Sequence, residues 1–137
     1  MAIRLLLVSD CESRREMISA LFRSHEISVF AISRSGAAVL EHVQNGRPDV
    51  ALIEAEIAAE AALTTLKLVR QQAPELPVLF HPALDDPFLR AQAFLLGACG
   101  YLPTSCSRRR YVQAVRMAAS GNLVWSPSDM KQMSSVV

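Results

Sequence analysis

The sequence has few cysteines, no long apolar run and almost no net charge, and each shortage excludes a class of protein. The three cysteines, Cys11, Cys99 and Cys106, are odd in number and show no close paired spacing, which argues against a disulfide framework or a zinc knuckle. Uninterrupted apolar runs are short, as from Leu5 to Val8, so no segment is expected to span a bilayer. A formal charge of +1 argues against general attraction to nucleic acid or to an anionic membrane.

The N-terminus also lacks the apolar core and small-residue cleavage site of a signal peptide, because Arg4 is followed at once by a strand-like run. The sequence therefore predicts a cytoplasmic location, with reduced thiols and no membrane partner. Hydrophobic residues make up 51% of the 137 residues, which suffices for one compact domain. We expect that domain over residues 1–121, followed by a polar linker or frayed C-terminal tail over residues 122–137.

Short apolar segments alternate with segments of helical period along the chain. The predicted strands are Ile3–Val8, Ile27–Ile32, Val50–Ile53, Val78–Phe80 and Gly100–Leu102. Helices are expected after each strand: one with Ser13 and Glu16 at capping-box spacing, one capped by Ser35 and ending at Gly46, and three over about Ala59–Gln72, Pro87–Leu96 and Ser107–Ser120. This alternation predicts an α/β fold, a flavodoxin-like (βα)5 three-layer sandwich whose parallel five-stranded sheet has the order 2-1-3-4-5.

The carboxyl ends of parallel strands meet at one edge of the sheet, where such folds place their functional crevice. The polar side chains that the predicted strands bring to this edge are Ser9, Asp10, Glu54, His81 and Thr104.

Three stretches of sequence resemble a response-regulator receiver domain over about residues 3–121. They are Ile3-Arg4-Leu5-Leu6-Leu7-Val8 ending at an acid, Arg47-Pro48-Asp49-Val50-Ala51-Leu52-Ile53-Glu54, and Leu96-Gly97-Ala98-Cys99-Gly100-Tyr101-Leu102. The ending Ala118-Ala119-Ser120-Gly121-Asn122 further resembles receivers that precede a helix-turn-helix output domain, so a DNA-binding domain beyond residue 137 is one expected partner.

The resemblance implies a phosphorylation site, from which this sequence departs. Receivers position Mg²⁺ with an acidic pair after the first strand, accept phosphate on an aspartate after the third, and sense it with a hydroxyl and a lysine after the fourth and fifth. The corresponding residues here are Ser9 and Asp10, Glu54, His81 and Thr104. Because phosphoryl transfer depends on positioning and charge neutralisation, we expect it to fail or to be very slow. Asp10, Glu54 and the Glu56 carbonyl supply at most a weak metal site.

Alternatives stay open for these residues. Glu54 either holds the domain in an active-like state or is a solvated acid at a strand end, and Asp10 is a vestigial acid or a helix cap. His81 either titrates beside the acids or is simply hydrogen-bonded at a loop start. If Asp10 and Glu54 are neighbours, Glu54→Gln is expected to raise stability or leave it level, because it relieves repulsion between like charges.

The arginines Arg108, Arg109 and Arg110 open the last helix, where cations oppose the helix dipole. They are either solvated or kept for a partner, and we expect Arg109, Gln113 and Arg116 to ring an interaction face. The sequence thus predicts a phosphorylation-independent receiver that acts through a protein partner or as a homodimer, with no catalytic residues and no cofactor. A small-molecule-sensing receiver and a flavodoxin-like enzyme are the alternatives, although the loop after the first strand has no phosphate-binding glycine.

Overall fold

A computed structural model describes residues 2–32, 36–55, 59–103 and 106–134. Five strands alternate with helices in this part of the chain, and one further helix follows. In chain order they are β1 Ile3–Val8, α1 Glu12–Arg23, β2 Ile27–Ile32, α2 Gly36–Gly46, β3 Val50–Ala55, α3 Ala59–Gln72, β4 Val78–Pro82, α4 Pro87–Leu95, β5 Gly100–Tyr101, α5 Arg108–Ala119 and α6 Pro127–Ser134.

The strands form one parallel sheet in the order β2-β1-β3-β4-β5, which confirms the predicted fold and strand order. Alternate residues of β1 face opposite layers because side chains along a strand alternate. Leu5 and Leu7 pack with Phe22 of α1 and Val115 of α5. Leu6 and its neighbours on the other face pack against α2, α3 and α4.

Two strands extend further than the sequence indicated, and this changes the setting of two candidate site residues. The predicted third strand ends at Ile53, whereas β3 continues to Ala55, and the predicted fourth ends at Phe80, whereas β4 continues to Pro82. Glu54 and His81 therefore lie within paired strands, directly opposite one another.

Helix α5 has a side-chain N-cap, whereas α1 does not. Ser107 caps α5, where its hydroxyl accepts a hydrogen bond from the Arg110 backbone N–H at 3.1 Å. In α1 the N-cap is Cys11, without a side-chain capping bond, so the predicted cap at Ser13 is wrong. The predicted cap at Ser35 lies outside the described residues.

Residues 124–134 contact the rest of the domain, in the range where the sequence predicted a linker or frayed tail. The Val124 backbone N–H donates to the Cys99 carbonyl at 2.7 Å, and Trp125 Nε1 donates to the Ala98 carbonyl at 2.8 Å. The indole ring also stacks on Tyr101 at 6.2 Å between ring centroids. The polar composition of the segment did not indicate this docking, because only two residues, Val124 and Trp125, make these contacts.

The short helix α6 is held at both its start and its side. Ser126 and Asp129 cap each other reciprocally, with side chain to backbone distances of 2.9 and 3.0 Å. Met133 is buried, and Asp129 lies 3.8 Å from Arg90 of α4. Helix α6 is therefore a docked element of the domain. Within the described part of the chain, no helix combines the length and apolar character needed to cross a bilayer.

The docked segment explains the glycine at position 100. A Cβ atom there would lie 2.6 Å from the Val124 Cβ and 2.9 Å from Leu79 Cδ2. We expect Gly100→Ala to lower the free energy of unfolding by about 1 to 2 kcal/mol through overpacking. Chemical denaturation measures this, with Gly46→Ala as the matched control because nothing lies within 4 Å of its added Cβ. Equal effects of the two substitutions would show that the segment does not press on Gly100.

Candidate functional site

Three of the predicted edge residues meet in a buried cluster. Val8 pairs with Ile53 in the sheet register, which places Ser9 beside Glu54, and Glu54 pairs with His81 on its other side. Ser9, Glu54 and His81 are 0%, 2% and 4% exposed. Glu54 is therefore not a solvated acid at a strand end.

Three groups bind the Glu54 carboxylate. The Ser9 hydroxyl donates to Oε1 at 2.8 Å, and Arg14 Nη2 donates to Oε2 at 2.7 Å. His81 Nδ1 lies 3.3 Å from Oε2. Both carboxylate oxygens are thus engaged, one by a hydroxyl and the other by a cation and an imidazole.

Arg14 is the functional residue that sequence reasoning missed. It lies in the first turn of α1, and its side chain is 29% exposed, so the guanidinium connects the surface with the buried carboxylate. Its neighbour Arg15 donates to the Ser9 carbonyl at 2.6 Å, which ties the same turn to the end of β1. A basic residue in the turn after β1 was the available signal, because that turn meets the sheet edge that holds the acid.

Tyr111 of α5 completes the cluster. It was not among the candidate site residues that the sequence indicated. Its hydroxyl lies 2.9 Å from Nδ1 and 2.8 Å from Nε2 of His81, and the two rings meet edge to face at 5.1 Å. A carboxylate only accepts hydrogen bonds, so the contact with Glu54 requires a hydrogen on Nδ1 of His81.

The cluster keeps Glu54 ionised. Burial by itself raises the pKa of Glu54, but hydrogen bonds from His81, Arg14 and Ser9, together with the charge of Arg14, lower the pKa from 4.5 to about 2. Burial and the nearby Glu54 charge raise the pKa of Tyr111 above its usual range, so its hydroxyl keeps its proton and can donate. The arrangement is a neutralised ion pair inside a hydrogen-bonded network.

The remaining predicted site residues are Asp10, Glu56 and Thr104. Asp10 is exposed, and it is not the helix cap, since Cys11 takes that position. Glu56 and Thr104 lie outside the described residues. With both Glu54 oxygens engaged and Arg14 beside one of them, the residues present do not fit the Mg²⁺ site that the resemblance implies. No group of three or more potential metal-binding side chains occurs among the residues that the structure describes.

Cys99 and Cys106 show no activation. Burial raises the pKa of Cys99 to about 11 and also raises the pKa of Cys106. Thiolates are the reactive form, so both residues behave as ordinary thiols near neutral pH.

The residues of the predicted interaction face lie on the surface of α5. Arg109, Gln113 and Arg116 are exposed and line one cavity between α5 and α1. Arg116 Nη2 also donates to the His25 carbonyl after α1 at 3.3 Å, which links the two helices at the surface.

Comparison with known proteins identifies the fold and its relatives. The family described as the response regulator receiver domain matches residues 5–116. The chain is 29% identical to the transcriptional regulatory protein LnrK of Bacillus subtilis, covering 96% of this chain and 60% of LnrK. It is 32% identical to the probable transcriptional regulatory protein NarL of Mycobacterium tuberculosis, covering 92% of this chain and 59% of NarL. The chain thus spans about three fifths of the length of these regulators.

Solved structures agree with these relatives. The signal receiver domain of NarL from Mycobacterium tuberculosis has a TM-score of 0.76 at 30% identity, covering 88% of this chain and 98% of that one. A LuxR-family two-component response regulator from an Aurantimonas species has a TM-score of 0.85, covering 99% of this chain and 98% of that one; at 20% identity it supports the fold alone. The family match over most of the chain and the 32% identity to NarL show that this chain belongs to the response-regulator receiver domain family.

Proposed function

We propose that this domain is a phosphorylation-independent receiver of a cytoplasmic transcription regulator, and that it signals through protein contacts without catalysing a reaction. The observation that carries the proposal is the buried ion pair of Glu54 and Arg14, which occupies the position where the resemblance places a phosphate-accepting aspartate.

The ion pair opposes phosphoryl transfer in two ways. An accepting carboxylate must direct one oxygen in line with an incoming phosphoryl group, whereas the Glu54 oxygens accept bonds from Ser9 and from Arg14 with His81. Glu54 is also 2% exposed, so a donor molecule has no direct path to it. Attack would first require breaking a buried ion pair, which is costly.

The same network supports a fixed signalling state. Ser9 follows β1, Glu54 lies in β3 and His81 in β4, while Arg14 and Tyr111 come from α1 and α5. One ionised carboxylate thus holds three strands and two helices in a single arrangement without an added phosphoryl group. A receiver built in this way presents the same surface whether or not a phosphodonor is present. Its signalling then depends on which partner proteins are available to bind.

The partner side of the proposal draws on the relatives. LnrK and NarL are transcriptional regulatory proteins, and this chain spans about three fifths of their length. We propose that a DNA-binding output domain accompanies this receiver in the whole protein. Contact with a protein partner, or formation of a homodimer, would use a helical face that includes α5 with Arg109, Gln113 and Arg116.

Treatment with a small phosphodonor and Mg²⁺ tests the proposal. We expect intact-mass spectrometry to detect no stable acyl-phosphate, because the Glu54 oxygens are engaged and Arg14 already neutralises the charge. A receiver that carries aspartate at this position is the positive control for the donor. A stoichiometric adduct that disappears in Glu54→Gln would contradict the proposal.

A further inference from the structure

A groove runs along the surface between α1 and α5. Two adjoining cavities of about 500 Å³ and about 580 Å³ form it, and they share Leu21, Ser24 and Arg108 as lining residues. Residues of α1 and α5 line both cavities. Amphipathic helices commonly bind in apolar grooves of this kind.

The groove combines an apolar floor with a basic rim. Met17, at 53% exposure, and Leu21 contribute apolar surface from α1, and Val112 and Met117 contribute it from α5. The arginines that line the groove are Arg14, Arg108, Arg109 and Arg116. Among the residues that the structure describes, no aspartate or glutamate lines either cavity.

Two arginines of the basic rim are not explained by the stability of α5. Arg108 and Arg109 occupy the first turn, where the helix dipole disfavours positive charge. Their unfavourable position is offset if they meet negative charge from another molecule. Met17 lines the same cavity as Arg108 and is exposed, so it offers apolar surface that a partner could bury.

We propose that this α1–α5 groove binds an acidic amphipathic helix of a partner protein. Apolar side chains on one stripe of such a helix would lie on the floor, and its carboxylates would meet the arginines of the rim. The inference rests on the proposed function in taking the receiver to act by protein contact, and it names the chemistry of the partner.

A second copy of the chain fits the groove less well. A twofold dimer brings the same surface of each copy together, so the arginines of one α5 would face those of the other. Like charges facing each other across an interface are unfavourable. Charge complementarity therefore favours a partner of opposite sign.

The groove also touches the buried cluster. Arg14 and Tyr111 line its wall, while Arg14 binds Glu54 and Tyr111 binds His81. A bound helix would contact Arg14 and Tyr111, the two residues that the helices contribute to the cluster. Its binding would therefore depend on the arrangement of the buried cluster.

A designed peptide pair tests the proposal. Each peptide has about 18 residues, long enough for a stable helix, with leucines on one stripe and either glutamate or lysine at the remaining positions. We expect fluorescence anisotropy to show at least about tenfold tighter binding of the glutamate peptide by the wild-type domain. Equal binding of both peptides, or no binding of either, would overturn the proposal.

Matched variants locate the binding surface. Arg109→Glu with Arg116→Glu should weaken binding of the glutamate peptide by about tenfold, since each exposed charge contact contributes modestly. Lys67→Glu with Lys131→Glu changes the net charge equally at exposed positions on α3 and α6, and should change the affinity by less than about twofold. Circular dichroism checks that each variant is folded. Equal losses in both double variants would indicate general charge attraction and contradict a groove site.

A footprint gives an independent readout. Cys106 lines the groove, whereas Cys11 does not, so the bound glutamate peptide should slow alkylation of Cys106 more than that of Cys11. Unchanged alkylation of Cys106 at saturating peptide would place the peptide elsewhere. Two other outcomes, each without selective peptide binding, would contradict the proposal. A dimer that is abolished by Arg109→Glu with Arg116→Glu would assign the groove to a second copy. Binding to vesicles that contain phosphatidylserine would assign it to a membrane.

The two proposals fail separately. A domain that forms an acyl-phosphate on Glu54 but still prefers the glutamate peptide overturns phosphorylation independence alone. A domain that is inert to phosphodonors but does not distinguish the peptides overturns the groove site alone.

Discussion

Arg14→Ala is expected to lower the free energy of unfolding by about 2 to 4 kcal/mol, the largest effect of any single substitution considered. Removing the guanidinium leaves the Glu54 carboxylate buried at 2% exposure without its cation, and breaking one side of a buried pair typically costs about 3 to 5 kcal/mol. The lower figure allows for water reaching the vacated space, because the Arg14 side chain is 29% exposed. Urea denaturation followed by circular dichroism measures the change.

Two variants separate the ion pair from ordinary helix packing. Arg23→Ala, an exposed arginine in the last turn of the same helix, should cost less than about 0.5 kcal/mol. The double variant Arg14→Ala with Glu54→Gln leaves no buried charge, so its loss should be smaller than the sum of the single losses by about 1 to 3 kcal/mol. Strict additivity would mean that the two side chains do not interact in solution.

Glu54 should give the domain a steep loss of stability in acid. Its pKa is about 2 when folded against 4.5 for the ordinary side chain, so the ionised form favours folding. This contribution is fully present above pH 4.5 and is lost as the pH falls towards 2. Its size is about 3 kcal/mol, since one pKa unit corresponds to about 1.4 kcal/mol. The measurement is the unfolding free energy of wild type and Glu54→Gln between those two pH values.

The difference between the two proteins is the informative quantity, because other carboxylates titrate over the same range. We expect Glu54→Gln to be less stable than wild type near neutral pH and the gap to close as the pH approaches 2. Glu16→Gln, an exposed glutamate of α1, is the matched control and should change stability by less than about 0.5 kcal/mol. A gap that does not vary with pH would contradict the lowered pKa of Glu54.

This expectation reverses the sign that the sequence indicated. The sequence placed Glu54 beside Asp10 and predicted that removing its charge would relieve repulsion. In the structure Asp10 is exposed, and the groups that lower the pKa of Glu54 are His81, Arg14 and Ser9. Hydrogen bonds from His81, Arg14 and Ser9, together with the Arg14 charge, outweigh the effect of burial on the pKa of Glu54, so removing the carboxylate is expected to lower stability.

The sheet and its edge residues were predictable because they depend on local patterns. Apolar runs such as Leu5 to Val8 identified the strands, and alternation with helices fixed their order. The same logic brought Ser9, Glu54 and His81 together, since the position of a strand end follows from the strand itself.

The groups that bind those residues were not predictable in the same way. Arg14 and Tyr111 reach the cluster from helices, and whether a long side chain points inward depends on rotamers and on packing between layers. The docking of residues 122–134 was missed for a related reason. The average polarity of the segment suggested a tail. Its position is instead set by two residues, Trp125 and Val124, which contact β5 and the residues just before it.

That docking changes how this sheet could be joined to another. A strand at the edge of a sheet usually offers unpaired backbone groups on which a further strand can form. Here the carbonyls of Ala98 and Cys99 are taken by Trp125 and Val124, and the Val124 side chain lies against Gly100. The opposite border, β2, pairs only with β1 among the described strands. Growth of the sheet by strand addition is therefore blocked beside β5, and any intermolecular strand pairing would have to begin at β2.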